Sequence, residues 1–347
     1  MYTLFDRISH EYSVNPTPIC SQTDPHIVLE EVTIAHFDNR HWLYRLSKGG
    51  DMPCVKVDTA YQNIILHADD ASQHAQATRF LLRTAFECRF CYEGIVSLHA
   101  ACVEMGDFAV AFTGHSGLGK STRAKAWVDG LRARWISGDR PAVRLEKSGS
   151  TACGVPWDGK EQIFRDVEVP LKCIMEVRRS PRNYVRRLSE DQARRLIMQQ
   201  SFVPMWDTDA AVMAMANVRQ LVQKTPVYRV FCGPEAEDAK AIYDILVNHP
   251  ELIREEAKDM KIKEGFVLRN VVDEFIVMPT GDNIAKFEGA VVLNEVSAFI
   301  FKQLETPVSR DDLLAAMLSE YDVDETTAAA DLDALLEKFA EMGVLEK

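Results

Sequence analysis

The chain is 347 residues long, 47% hydrophobic and 27% charged, with a formal net charge of −12. That length suits two or three domains rather than a single core. No apolar run reaches the ~18 residues of a membrane helix, and Asp6, His10 and Glu11 stand where a signal peptide would be apolar, so no membrane partner and a cytoplasmic location are expected.

Residues 1–92 alternate short β-like runs (27–32, 41–46 and 64–66) with polar turns and finish in a helical stretch over 75–92. Nothing in this α/β segment carries recognisable chemistry, and it reads as a lid or support. From 93 to 249 strands alternate with helices. Strands are expected at 95–103 and 108–113 about a turn at 104–107, then at 135–139, 142–145, 173–177 and 228–231. Amphipathic helices are expected at 190–200, 209–223 and 234–248. Residues 250–265 are polar and helix-like, a charged linker by composition. In 266–347, β-runs at 266–269, 274–278 and 290–293 precede helices at 295–304, 310–321 and 325–342, with Asn294 as a cap and Gly343 as a stop. This last unit is winged-helix-like.

Residues 114–122 read Gly-His-Ser-Gly-Leu-Gly-Lys-Ser-Thr, a complete G-x-x-x-x-G-K-[ST] loop. Gly114, Gly117 and Gly119 permit torsions that turn successive amides, from Ser116 through Leu118 to Thr122, toward a polyphosphate. Lys120 reaches the β/γ-phosphates, and Ser121 offers its hydroxyl to Mg²⁺. A strand before the loop and a helix over 122–131, closed near Gly130, supply the required order, so the helix N-terminus faces the phosphates. Asp139, at the carboxyl end of a strand, sits where such sheets keep their ligands. It is expected to hold Mg²⁺ or to take the acceptor's proton.

Eight cysteines, Cys88-Arg-Phe-Cys91 among them, lack the spacing of a disulfide framework or a zinc site, and read as reduced. Residues 266–347 hold 17 acidic and 6 basic side chains, which argues against nucleic acid there and leaves room for a basic peptide. Five arginines between Arg178 and Arg187 read as a solvated loop, with a phosphate or acidic-peptide patch as the sharper alternative.

With these residues laid out, the middle segment resembles the HPr kinase-like branch of phosphate-loop proteins, related to HPr kinase/phosphorylase and more distantly to phosphoenolpyruvate carboxykinase. The resemblance rests on Leu98-His-Ala-Ala101, the loop itself, Ile136-Ser-Gly-Asp-Arg140 and Gly154-Val-Pro-Trp-Asp-Gly-Lys-Glu161. The tail resembles the PqqD-like peptide-recognition domains of ribosomal-peptide pathways, through Asn294-Glu-Val-Ser-Ala-Phe-Ile-Phe301, Asp311-Leu-Leu and Phe339-Ala-Glu-Met-Gly-Val-Leu345. The resemblance implies ATP and Mg²⁺ as cofactors, His99 near the γ-phosphate, and Arg140 and Lys160 near the transferred charge. It also implies a precursor peptide whose leader adds a strand at 290–293 against the helix at 325–342. The family's paired acid is Gly138-Asp139 here, so Asp158 or Glu161 is the candidate second carboxylate. The expected activity is a peptide kinase acting on a Ser, Thr or Tyr hydroxyl. The alternatives are a nucleotide-gated peptide carrier and a regulatory kinase of a folded carrier protein. Homo-oligomerisation is left open.

Overall fold

The computed structural model describes residues 11–15, 27–28, 32–38, 40–46, 53–67, 75–157, 163–256, 259–271, 274–283 and 291–346. The chain divides into two compact units, Met1–Arg254 and Glu255–Lys347.

In the first unit, strands β1 (Glu11–Asn15), β2 (Ile27–Val28), β3 (Val32–Asp38), β4 (His41–Leu46), β5 (Cys54–Asp58) and β6 (Asn63–His67) form one sheet in the order β1-β6-β5-β4-β3-β2. Helix α1 (Ala75–Tyr92) covers it, with Leu81, Ala85 and Cys88 packed on Tyr44, Val55 and Val57. This layer is bolted to the rest by a buried bond. The Tyr61 hydroxyl donates to Asp207 Oδ2 at 2.9 Å, while Asp207 Oδ1 accepts the Ala210 amide at 3.0 Å and caps a helix. A hydrogen bond to a buried carboxylate of this kind contributes about 1.5–3 kcal/mol.

The larger sheet contains β7 (Ile95–Ser97), β8 (Ala100–Met105), β9 (Phe108–Thr113), β10 (Arg134–Ser137), β11 (Ala142–Glu146), β12 (Gly149–Cys153), β13 (Glu168–Arg179), β14 (Tyr184–Arg187) and β15 (Val227–Cys232). Its order is β10-β8-β9-β13-β12-β11-β7, and β15 joins β13 and carries β14 on its outer side. The single strand expected over 95–103 is two strands, broken at Leu98 and His99. β9 is antiparallel to β8 and parallel to β13, so it is a mixed-sheet strand rather than a purely parallel one.

Alternation decides which face each residue joins. Val103, Val110, Phe112 and Met175 point toward α2 (Lys120–Leu131) and, farther on, α5 (Ala236–Val247). Cys102, Ala109, Ala111 and Ile174 point toward α3 (Glu190–Gln200) and α4 (Thr208–Lys224). Trp127 anchors α2, meeting Phe112 edge-on at 5.6 Å and Tyr243 of α5 at 5.9 Å. Gly130 stands one residue before the end of α2 at Leu131, but it is not the cap. It lets α5 approach, because a Cβ there would lie 2.9 Å from Ala236, and the turn-off comes at Arg132, whose φ is +60°.

Beyond the two-residue β16 (Arg254–Glu255), the second unit holds β17 (Lys261–Ile262), β18 (Phe266–Val271), β19 (Glu274–Pro279), β20 (Val291–Leu293) and β21 (Leu345–Glu346). β18, β19 and β20 form an antiparallel sheet, and β17 pairs with β21. Helices α6 (Glu295–Gln303), α7 (Arg310–Glu320) and α8 (Glu325–Glu341) close a core in which Phe301 meets Phe339 edge-on at 5.8 Å. Asn294 caps α6 by accepting the Ser297 amide at 2.8 Å, and Gly343, at φ +72°, ends the last turn. In the stretch expected to be a helix-like linker only Pro250–Leu252 make a single 3-10 turn among the described residues, and Ile262 is buried and paired with Leu345.

Gly154 is the position where close approach is absolute. A Cβ there would lie 1.7 Å from the Arg165 carbonyl oxygen, a backbone atom. Residues 163–167 run past it to bond Ile136 and Gly138, so this glycine sets the wall beside Asp139. Gly154→Ala is expected to destabilise the first unit by about 2 kcal/mol or more, a fall of at least ~4 °C in Tm measured by calorimetry. An unchanged Tm would contradict the packing described.

Candidate functional site

The phosphate loop spans the gap between β9 and α2. Gly114, Gly117 and Gly119 have φ of +131°, +85° and +87°, left-handed values that a side chain would strain. Gly119 stands at the N-cap of α2 and has no side chain to satisfy the first-turn amides. Those amides are left to a ligand, with the positive end of the helix dipole behind them. A cleft of about 1040 Å³ opens over the loop. Ser116, Gly117, Gly119, Lys120, Ser121 and Thr122 line it; Gly114 and Leu118 do not. Those two shape the loop instead, with Leu118 Cδ1 packed 3.3 Å from where a Gly114 Cβ would stand.

The Lys120 ammonium donates to the Gly114 carbonyl at 2.9 Å and to the His115 carbonyl at 3.3 Å. Burial pushes its pKa down, and the Asp139 carboxylate opposes that shift. The ammonium thus lies folded across the loop and must swing from these carbonyls to meet a phosphate.

His99 and Asp139 meet on the same cleft, with Nε2 3.4 Å from Oδ1. The break between β7 and β8 makes this possible. There the Leu98, His99 and Ala100 amides donate to the Pro141, Gln200 and Asp139 carbonyls at 3.2, 2.7 and 2.8 Å. The Thr113 hydroxyl, one residue before the loop, donates to the His99 carbonyl at 2.9 Å. Burial depresses the His99 pKa below 6.5, and the Lys120 and Arg140 cations add to the effect against Asp139. The imidazole is therefore neutral at physiological pH, an acceptor at one nitrogen.

Gly138 lines the cleft beside Asp139, and its amide donates to Ile163 at 2.8 Å. Asp158, Lys160 and Glu161 lie outside the described residues. Arg140 does not line the cleft; its guanidinium stands 3.7 Å from Glu87, which also accepts the Ser97 hydroxyl at 2.6 Å. Among the described residues no cluster of three His, Cys, Asp or Glu side chains is gathered. A Mg²⁺ ion asks for less: one or two protein oxygens, with phosphates and water completing the shell. Ser121 and Asp139 on one cleft fit that donor set.

The arginine run is a loop only over 180–183, where Arg182 is exposed, and the rest of it lies on strands. Arg178 and Arg179 end β13, and Val185 of β14 is buried beside a Tyr184–Phe231 stack with centroids 4.3 Å apart. Arg178 pairs at 2.7 Å with Glu176, a carboxylate that is 1% exposed and also held by Arg229 at 2.7 Å. Arg179 reaches the cleft, where Nη2 donates to the Gly117 carbonyl at 3.1 Å. The sequence favoured solvent for this side chain, and no local signal separates it from its neighbours. Arg123, within α2, also lines the cleft and donates to the Cys232 carbonyl at 3.0 Å. Cys88 and Cys91 are both buried, as are the other described cysteines, and none is in a disulfide.

Residues 274–345 match the family described as coenzyme PQQ synthesis protein D (PqqD). TbiB1 in complex with the TbiA(beta) leader peptide is 26% identical, with a TM-score of 0.22, and the match covers 25% of this chain and 94% of that one. A lasso peptide synthetase B1 complexed with the leader peptide is 20% identical, with a TM-score of 0.22, over 25% of this chain and 98% of that one. The Hpr(Ser) kinase/phosphatase from Coxiella burnetii is 11% identical, with a TM-score of 0.26, over 45% of this chain and 96% of that one. Among curated proteins none matches the chain. No helix among the described residues is long and apolar enough to cross a membrane, which says nothing of a β-barrel. The tail, residues 274–345, thus matches PqqD.

Proposed function

We propose that this protein is an ATP- and Mg²⁺-dependent peptide kinase, in which the PqqD-type tail holds a precursor's leader while the first unit phosphorylates a Ser, Thr or Tyr hydroxyl in the core. The observation that carries the reading is the single cleft on which Lys120, Ser121, His99 and Asp139 converge. Phosphoryl transfer asks mainly for positioning and charge neutralisation, which such a set supplies.

In this reading the loop amides, Lys120 and Ser121 orient the triphosphate, and a Mg²⁺ ion held by Ser121 and Asp139 would supply charge neutralisation. The acceptor oxygen bonds to the γ-phosphorus as the bond to the β-bridging oxygen breaks, and ADP leaves. The hydroxyl proton passes to Asp139 or to neutral His99, 3.4 Å away. Holding the leader on the edge of β20, beside α8, raises the core's local concentration to roughly millimolar, so the cleft need not read core sequence closely.

Gly138, in place of a second acid, favours one competing reading: a nucleotide-gated carrier that binds ATP and peptide without transfer. Intact-mass measurement of a precursor incubated with the protein, ATP and Mg²⁺ separates the two. A phosphate increment supports the kinase; an unmodified peptide at full nucleotide occupancy supports the carrier. Lys120→Ala is expected to lower kcat/KM for ATP by about 10² or more, since it removes a charge aimed at the transferring group. The pH profile tests His99. Burial holds its pKa below that of an ordinary imidazole, so the acid limb of kcat/KM, where protonation removes the acceptor nitrogen, is expected at lower pH than for a free histidine. His99→Gln should abolish that limb, and an unchanged limb would assign the titration elsewhere.

A further inference from the structure

Outside the nucleotide cleft, a groove of about 600 Å³ runs between α3 and α4. Met198 and Gln199 form its α3 side, and Met215 and Ala216 its α4 side, with Arg194, Arg195 and Arg219 around them. No acidic side chain lines it. At its margin Asp191 accepts from Arg194 at 2.8 Å. The α4 stripe is unusually apolar for a surface: Val212 is 53% and Met215 44% exposed, and they share a helix face with Arg219 at the i, i+3, i+7 spacing.

We propose that this groove docks an acidic segment of the substrate peptide, seating an apolar side chain between the methionines while its carboxylates meet the arginine rim. Thioether side chains adapt to varied apolar shapes, which suits a surface that must accept more than one sequence. Charge selects the partner, because a two-fold dimer across the same groove would set arginine rim against arginine rim. The groove's position links it to the transfer site. Gln199 is one residue before Gln200, whose carbonyl accepts the His99 amide at 2.7 Å, so this end lies within about 10 Å of His99. At roughly 3.3 Å per extended residue, the acceptor hydroxyl falls about three to five residues from the docked apolar side chain. The inference rests on the kinase reading for its function, but its binding can be measured without turnover.

The probe is a fluorescein-labelled dodecapeptide with a central Leu flanked by Glu on both sides, titrated by anisotropy against the full-length protein, alongside the same peptide with Lys for Glu. Wild type is expected to bind the acidic peptide and not the basic one. Arg219→Glu and Met215→Ser, both at exposed positions, should each weaken binding about tenfold or more while leaving ATP binding unchanged. Equal binding by both variants, or no binding by wild type, would overturn the proposal. So would a sedimentation profile in which wild type dimerises and Arg219→Glu does not, which would assign the groove to a second copy. Absence of a phosphate increment with this binding intact would fault the kinase reading alone.

Discussion

Everything at the candidate site depends on how three successive amides are satisfied where β7 gives way to β8. Leu98, His99 and Ala100 cannot all pair with a neighbouring strand, and a buried amide without a partner costs about as much as a lost hydrogen bond. They bond two other segments instead: Leu98 and Ala100 the 139–141 connection, at Pro141 and Asp139, and His99 the end of α3, at Gln200. The break therefore ties the histidine, the carboxylate and a helix terminus into one rigid junction. The Thr113 bond to the His99 carbonyl extends that junction to the phosphate loop. The 3.4 Å approach of His99 to Asp139 is a consequence of backbone bonding, not of a side-chain attraction strong enough to create it.

Charge is apportioned around this junction so that few cations remain for a ligand. Glu87 faces Arg140, and Glu176 takes both Arg178 and Arg229, each pair partly or wholly out of water. Removing one partner of such a pair would leave a buried charge uncompensated, so these arginines are committed to the fold. Lys120 and Arg179 differ in that they bond backbone carbonyls of the loop. Neutral carbonyls hold a cation less firmly than a carboxylate does, and polyphosphate oxygens can displace them. The loop is thus braced by the groups best placed to meet a ligand.

Much of this was legible in the sequence, for identifiable reasons. The phosphate loop declared itself because its glycines and Lys120 are contiguous, and α1 and β4 because their apolar periods are regular. β12 was missed because Gly149, Ser150 and Thr151 are small or polar, though Ser150 and Cys153 are buried. Charge hid β14, whose one buried aliphatic residue, Val185, stands among arginines. Polar composition likewise disguised β17, where Ile262 supplies the apolar contact. Arg179 could not have been singled out at all, since its partner Gly117 lies 62 positions away. The break at His99 is of the same kind: the segment reads as one continuous apolar strand, and only its distant partners interrupt it.

The two units acquire a joint purpose only if one brings substrate to the other. Initial transfer rates compared at equal low-micromolar concentration, for a precursor with its leader and for the same core without it, test this most directly. With a millimolar effective concentration from tethering, the leader-bearing peptide should react about 10² times faster or more. Equal rates for the two would contradict the tethered-kinase account.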